Sequence, residues 1–247
     1  MSLCSGKNIH VELITLYTKL AEEPDSDFGW SKGKTNARRL GYSDVWLERL
    51  PDVVWESSAA VGNPFSLGEI GPGQIVLDVG CGAGADACVA ALLAGDTGRV
   101  IGVDCTPAMI GKARENARYA GLYNIEFHKA DIASLPIADN SVDVVISNGS
   151  INLAENKEAV FRELYRVLRP GGRLQIADMV RESEDCCNSE PGTGSWADCV
   201  QGTLLPDKLL EIIAGAGFTN AELVELTGYK TSATTNGVLI RALRPYI

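Results

Sequence analysis

The 247-residue sequence lacks the features that mark membrane and secreted proteins. No apolar run approaches the ~18 residues that a membrane-spanning helix needs. The N-terminus lacks the pattern of a signal peptide, in which a short basic stretch precedes an apolar one. Internal repeats and low-complexity segments are also missing. These absences predict a cytoplasmic protein with no membrane partner.

Basic residues are scarce in this chain. The sequence has 22 Lys and Arg residues against 32 Asp and Glu residues, so its net charge is −10. An acidic surface repels the phosphates of nucleic acids, and we therefore expect no nucleic-acid partner. Neither of the two histidines, His10 and His128, belongs to a set with the spacing of metal ligands. The seven cysteines are an odd number, which favours reduced thiols over a disulfide framework.

Residues 71–217 alternate short β-branched runs with helical stretches, which is the pattern of βαβ units in a parallel sheet. Strands are predicted at 75–79, 99–104, 125–128, 142–147, 173–178, 221–226 and 237–243. Helices are predicted at 86–94, 107–120, 156–168 and 206–216, and loops at 25–36 and 181–195. The chain therefore divides into an N-terminal extension or cap, residues 1–70, and an α/β domain, residues 71–247.

The first predicted strand runs into a glycine-rich turn, GCGAGA at residues 80–85. Gly80, Gly82 and Gly84 let the main chain approach a ligand closely, and the helix that follows directs its N–H groups at that ligand. Asp104 ends the next strand, where a carboxylate can hold ribose hydroxyls. This spacing also satisfies a dinucleotide fingerprint. It is therefore compatible with NAD, with S-adenosylmethionine, or with a tight turn that binds nothing.

Three further features favour S-adenosylmethionine. Asp78 stands inside the first strand, where dinucleotide-binding folds usually have an apolar residue. Asp131 follows the third strand, at the edge of the sheet where an adenine amino group can be recognised. The sequence LRPGG, residues 168–172, joins a helix to a strand. In this order and spacing, the blocks within residues 74–176 resemble the class I S-adenosylmethionine-dependent methyltransferases.

That resemblance implies a Rossmann-like fold of the α/β class. The sheet would have seven mostly parallel strands in the order 3-2-1-4-5-7-6, with the last strand antiparallel, helices on both faces and an N-terminal helical extension. The cofactor would be S-adenosylmethionine, with contacts from Asp78, Gly80, Cys81, Gly82, Gly84, Asp104, Cys105, Thr106, Asp131, Ile132 and Ser147. Asp104 would hold the ribose hydroxyls, and Asp131 the adenine, although a turn or helix cap is an alternative role for Asp131. Ser147 and Asn148 would lie closest to the sulfonium.

Methyl transfer from such a cofactor requires little acid–base machinery, because the cofactor brings the activated methyl group. The protein chiefly positions the acceptor and excludes water. Four aromatic residues of the extension, Tyr17, Trp30, Trp46 and Trp55, are candidates for the wall of an acceptor pocket. Large aromatic residues also belong to cores, which is the alternative for each of them.

Other segments make the resemblance more specific. They are GNP at residues 62–64, ISNGSINL at residues 146–153 and WADCVQG at residues 196–202. Together they resemble the arsenite methyltransferases, and the similarity extends over residues 16–218. In that family three cysteine thiolates hold As(III), a soft ion matched to sulfur ligands. The bound arsenic then attacks the methyl carbon with its lone pair.

The cysteines of that family are only partly present here. Cys199 matches one of them, whereas Val61 and Gly149 occupy the positions of the other two. The adjacent pair Cys186 and Cys187 could join Cys199 to restore a set of three thiols, or could have no role. The resemblance therefore leaves the methyl acceptor open.

Three functions follow as hypotheses. The favoured one is an S-adenosylmethionine-dependent methyltransferase that acts on a small-molecule acceptor, with Asn148 and Cys199 as catalytic residues. The second is a non-catalytic protein that binds the same cofactor, which would explain the loss of two family cysteines. The third is an NAD-dependent oxidoreductase, which the spacing of the glycines permits.

Overall fold

The computed structural model describes residues 6–183 and 202–246 and, from residue 10, their side chains. Seven strands form one sheet in the order β3-β2-β1-β4-β5-β7-β6. They are β1 (Ile75–Val79), β2 (Arg99–Asp104), β3 (Ile125–Lys129), β4 (Val142–Asn148), β5 (Leu168–Arg181), β6 (Thr219–Leu226) and β7 (Thr235–Leu243). The predicted strand order is confirmed.

One strand, β7, breaks the parallel pattern of the sheet. It pairs antiparallel with both β5 and β6, whereas β1 is parallel with β2 and with β4. The prediction of a mostly parallel sheet with an antiparallel last strand is therefore confirmed. Since β1 to β5 run in the same direction, their carboxyl ends meet at one edge, which is where open α/β sheets bind ligands.

Strand β5 begins five residues before the predicted start at residue 173. Leu168 pairs with Val142 and Arg173 pairs with Val144, so residues 169–172 form a bulge opposite residue 143. Leu168 is fully buried and keeps its place in the ladder. The segment predicted to connect a helix to a strand is therefore itself part of the strand.

Helices cover both faces of this sheet. They are α1 (Gly6–Glu22), α2 (Gly33–Arg39), α3 (Asp44–Arg49), α4 (Asp52–Trp55), α5 (Ala85–Ala94), α6 (Pro107–Tyr119), α7 (Lys157–Val167) and α8 (Pro206–Gly215). Helices α5 and α6 pack on the face that carries Val76 and Val100, and α7 and α8 on the face that carries Leu77 and Ile101. Both faces are thus buried, which explains the continuous apolar runs of the strands. Within residues 6–183 and 202–246, no helix is both long and apolar enough to cross a membrane.

Helix α2 lies partly where a loop was predicted, so that prediction is wrong for residues 33–36. The segment has no apolar periodicity, and contacts with a distant part of the chain hold it. The Gly33 N–H donates to the Ser58 carbonyl at 2.7 Å, and the buried Asn36 amide donates to the Ala60 carbonyl at 2.8 Å. Pattern alone does not reveal a helix that depends on such contacts.

Of the four aromatic residues considered for the pocket wall, three pack with other apolar residues and one lines a cavity. Trp46 and Trp55 pack edge-on around Tyr42, and Trp55 is fully buried in the core. Trp30 packs against a separate apolar cluster. Tyr17 is the one of the four that lines a cavity. The core alternative is therefore the better description of the three tryptophans.

Candidate cofactor and acceptor site

A cavity of about 800 Å³ lies at the carboxyl ends of β1, β2 and β4. Residues that directly follow these strands line it, among them Gly80, Cys105 and Gly149. Helix α1 adds Leu13 and Tyr17 to the wall. A cavity of this volume suits a ligand of nucleotide size.

The glycine loop has the left-handed backbone that glycine favours. Gly80, Gly82 and Gly84 have φ angles of 70°, 50° and 84°. A Cβ on Gly80 would stand 2.2 Å from the Cβ of Ser150, so this position requires glycine. Gly80 and Gly82 line the cavity, whereas Gly84 does not. A Cβ on Gly84 would meet the Phe127 ring at 3.1 Å, so glycine there serves packing.

The Asp104 carboxylate lines the cavity at the end of β2. Its Oδ2 accepts a hydrogen bond from the Gly82 N–H at 3.0 Å, and its Oδ1 accepts one from the Thr106 N–H at 2.8 Å. Each oxygen has a second lone pair, so two ribose hydroxyls can still donate to this carboxylate. Cys81, Cys105 and Thr106, also predicted as cofactor contacts, line the cavity as well.

Asp78 lies in β1, is 2 % exposed and lines the cavity. Its Oδ2 has no hydrogen-bond partner among the described residues. Burial raises the pKa of this carboxyl well above its usual value, and the nearby Asp86 and Asp104 carboxylates raise it further. A bound cation would offset both effects. S-adenosylmethionine carries a sulfonium and an ammonium group, so the unpartnered oxygen fits the predicted cofactor.

Asp131 and Ile132 line the cavity just beyond the end of β3. The Oδ1 atom of Asp131 accepts a hydrogen bond from the Ala133 N–H at 2.8 Å, which is the turn role considered from the sequence. Asp131 is nevertheless exposed toward the cavity. The turn contact and the predicted contact with adenine are therefore compatible.

Ser147 does not reach the cavity, although a cofactor contact was predicted for it. The residue is fully buried at the end of β4. Its hydroxyl donates to the Val79 carbonyl at 3.1 Å and lies 2.8 Å from the Ser150 Oγ. Ser147 therefore fixes the turn that holds Ser150 against Gly80.

The Asn148 side chain lines the cavity and joins three segments of the chain. Its Oδ1 accepts a hydrogen bond from the Val61 N–H at 2.9 Å. Its Nδ2 donates to the Gly62 carbonyl and to Asp86 Oδ2, each at 2.9 Å, and lies 3.0 Å from the Tyr42 hydroxyl. These contacts hold residues 61–62 against the start of α5. The catalytic role predicted for Asn148 stays a prediction.

Asp86 and Tyr42 are two residues of the site for which no functional role was predicted. Asp86 is the second residue of α5, is 8 % exposed and lines the cavity. The Tyr42 hydroxyl donates to its Oδ1 at 2.7 Å. Burial raises the pKa of Asp86, while the hydrogen bonds from Tyr42 and Asn148 oppose that rise. An acid in the first turn of a helix is common because of the helix dipole, so the sequence offered no distinct signal.

Val61 and Gly149, which replace two cysteines of the arsenite methyltransferase pattern, are neighbours in the fold. A Cβ on Gly149 would lie 3.4 Å from Val61 Cγ1. Gly149 lines the cavity and Val61 is buried behind it. Cys186, Cys187 and Cys199 lie outside the described residues. In the part of the chain that the structure describes, no three His, Cys, Asp or Glu side chains are arranged to hold a metal ion.

The sheet order, the glycine loop and the acids that end β2 and follow β3 together define a class I methyltransferase fold. A family model described as a methyltransferase domain matches residues 70–217. The chain belongs to this methyltransferase family. Family membership confirms the predicted enzyme class, a class I S-adenosylmethionine-dependent methyltransferase, and the predicted cofactor.

The similar curated proteins include two arsenite methyltransferases. The one from Halobacterium salinarum is 42 % identical over 189 residues, covering 76 % of this chain and 48 % of that protein. The one from Aquipseudomonas alcaligenes is 34 % identical over 192 residues, covering 73 % and 55 %. The resemblance predicted from the sequence is confirmed. The chain spans about half the length of these relatives.

Solved structures agree on the fold. An arsenic(III) S-adenosylmethionine methyltransferase from Chlamydomonas reinhardtii superposes with a TM-score of 0.61 and 26 % identity, covering 87 % of this chain and 74 % of that chain. A protein described as the [4+2]-cyclase SpnF has a TM-score of 0.66 at 21 % identity, covering 97 % and 95 %. The second likeness shows the fold alone.

Proposed function

We propose that this chain transfers a methyl group from S-adenosylmethionine to a small organic molecule bound beside Gly149. The observation that carries the proposal is the Val61–Gly149 pair, where neither residue carries a sulfur atom. As(III) is a soft ion that the related enzymes are expected to hold with three thiolates. Of that set only Cys199 is present here, and one thiolate is a poor site for the ion.

The cofactor would lie along the carboxyl edge of β1 to β3. In this arrangement Asp104 holds the ribose hydroxyls, Asp131 and Ile132 contact the adenine, and Asp78 faces the positively charged methionine portion. When bound, the cofactor supplies the activated methyl group. The chain itself then has to orient the acceptor and keep water out.

The N-terminal extension, residues 1–70, acts as the cap of the site in this proposal. Leu13 and Tyr17 of α1 line the cavity, and Leu20 packs with Met109 of α6. The extension therefore lies against the same elements that would hold the cofactor. An apolar cover of this kind shields a sulfonium from water.

Two alternatives give different outcomes in one experiment. The similar proteins named arsenite methyltransferases make As(III) the first acceptor to test, with Cys186, Cys187 and Cys199 as the candidate thiols. A non-catalytic protein would bind S-adenosylmethionine and transfer its methyl group to nothing.

The test is a transfer assay with methyl-labelled S-adenosylmethionine. The purified protein is incubated with As(III), with and without glutathione, and separately with a small-molecule metabolite extract. We expect label in an organic product and none in arsenic species. Methylated arsenic would overturn the proposed acceptor class, and cofactor binding without any transfer would identify a non-catalytic protein. Asp104→Asn, which weakens the predicted ribose contact, is the control and should reduce transfer in each arm where the unaltered protein forms labelled product.

A further inference from the structure

The wall of the cavity carries many acids and almost no base. Five acidic residues line it: Asp78, Asp86, Asp104, Asp131 and Glu155. Among the described residues that line the cavity there is no Lys or Arg, and the one imidazole, His10, is exposed. The described part of the wall therefore offers no lysine or arginine as counter-charge for an anionic substrate.

Three ionisable groups around the cavity have raised pKa values, first because of burial and then because of nearby carboxylates. Burial and then the Asp86 carboxylate raise the pKa of the Tyr42 hydroxyl. Burial and then nearby carboxylates, Asp104 among them, raise the pKa of the Cys81 and Cys105 thiols. At each position the formation of an anion is disfavoured. An anionic acceptor entering the cavity would meet the same two penalties.

Because charge is conserved in methyl transfer, an acidic cavity distinguishes uncharged acceptors from anionic ones. An acceptor lone pair forms a bond to the methyl carbon while the carbon–sulfur bond breaks, and that electron pair stays on sulfur as a neutral thioether. If the acceptor is uncharged, the positive charge passes to the methylated product and the carboxylates stabilise a cation before and after the step. If the acceptor is an anion, the products carry no charge for the carboxylates to stabilise.

The wall beside Gly149 combines the polar Asn148 and Ser150 with apolar residues from neighbouring segments. Ala59, Ala60, Leu153 and Ala154 line the cavity together with this glycine. Such a surface favours a ligand with a largely apolar body. Building on the proposed function, we propose that the methyl acceptor is an uncharged lone-pair nucleophile on an apolar body, such as a thioether or a weakly basic nitrogen compound. Phenolates, thiolates, carboxylates and phosphorylated molecules are excluded.

The charge selectivity of the cavity can be measured without turnover. Cys105 lines the cavity and is partly exposed, so its thiol can be alkylated with iodoacetamide, which is neutral, or iodoacetate, a similar-sized anion. Peptide mass spectrometry gives the two rates at Cys105, and N-acetylcysteine amide gives the reference ratio. We expect the ratio of the iodoacetamide rate to the iodoacetate rate at Cys105 to exceed the reference ratio by roughly tenfold, since several carboxylates act on the incoming anion. A ratio equal to the reference would overturn the proposal.

A pair of matched variants separates a local effect from a general one. Asp131 contributes to the field at Cys105. Asp131→Asn should therefore reduce the rate ratio by about threefold. Asp96→Asn makes the same change of net charge just before β2 begins, at the opposite edge of the sheet, and should leave the ratio unchanged. Equal effects of the two variants would contradict the proposal.

The acceptor itself is tested by fractionating the metabolite extract on an anion-exchange resin at neutral pH. Labelled product from the unretained fraction, with methyl-labelled S-adenosylmethionine as donor, is the expected result. Labelled product from the retained fraction would overturn the proposal. No product from any fraction, with a raised alkylation ratio at Cys105, would instead remove the proposed methyltransferase function and the acceptor with it.

Discussion

Replacing Gly80 with alanine tests the geometry of the glycine loop directly. The added methyl group would lie 2.2 Å from Ser150 Cβ and 2.4 Å from its Oγ. Ser150 is held in place because its hydroxyl donates to the Val79 carbonyl at 2.9 Å. Gly80 also has a φ of 70°, a conformation that alanine disfavours. The substitution therefore combines a steric clash with backbone strain.

The two contributions have separable magnitudes. The left-handed conformation destabilises a residue with a side chain by about 1–2 kcal/mol, and overpacking costs about 1–3 kcal/mol. Gly80→Ala should accordingly lower the free energy of unfolding by about 2–5 kcal/mol. Gly121→Ala is the matched control, because Gly121 follows the end of α6 with a φ of 69° and its Cβ would have no neighbour within 4 Å. Only the conformational part, about 1–2 kcal/mol, should appear there.

Urea unfolding at fixed pH measures these free energies, and calorimetric titration with S-adenosylmethionine measures binding. Adding Ser150→Gly to Gly80→Ala removes the clash and should recover about 1–3 kcal/mol relative to additive effects. Two results would refute the reasoning. One is that Gly80→Ala is no less stable than Gly121→Ala, and the other is that Ser150→Gly recovers nothing.

Three further predictions concern binding, pH and sulfur. Asp104→Asn should weaken S-adenosylmethionine binding roughly 10–100-fold by calorimetry, as expected when a charged acceptor is lost; unchanged affinity would contradict the assigned ribose contact. Burial raises the pKa of Asp178 to about 6. Between the usual aspartate pKa of about 4 and this value, the folded state holds a proton that the unfolded state has lost, so the free energy of unfolding should fall as the pH rises from about 4 to about 6. Asp178→Asn should remove up to about 3 kcal/mol of this fall, measured by urea unfolding at pH 4 and pH 7, and an unaltered slope would count against it. Val61→Cys combined with Gly149→Cys should increase the As(III) retained after gel filtration, measured by elemental analysis, whereas unchanged retention would argue against adjacent thiol positions.

The strand order and the cofactor cradle could be predicted from the sequence because local signals carry them. β1 and β2 have the predicted bounds, since each is a buried apolar run that ends in a glycine turn or an acid. Asp78 and Asp104 stand near the carboxyl ends of parallel strands, and these ends meet at one edge of the sheet. The fold rules then bring them to one cavity, so their proximity follows from their place in the sequence.

The remaining parts of the site depend on contacts between distant residues. Tyr42 bonds Asp86 across 44 positions of sequence and Asn148 across 106. Neither Tyr42 nor Asp86 stands in a motif, and Tyr42 belongs to an extension whose short helices lack periodicity. Gly84 and Ser147 show the converse. Motifs predicted both as cofactor contacts, but Gly84 packs against the Phe127 ring and the Ser147 hydroxyl donates to the Val79 carbonyl.

The Asn148 amide connects the proposed acceptor side of the cavity with the cofactor side. One side chain bonds residues 61–62, behind the proposed acceptor surface, and Asp86, on the cofactor side. A ligand that reorients this amide changes the free energy of the other binding step as well. Linkage requires the change to be mutual: the factor by which the cofactor alters acceptor affinity equals the factor by which the acceptor alters cofactor affinity. In that case the coupling between the two binding steps depends on one hydrogen-bonded amide.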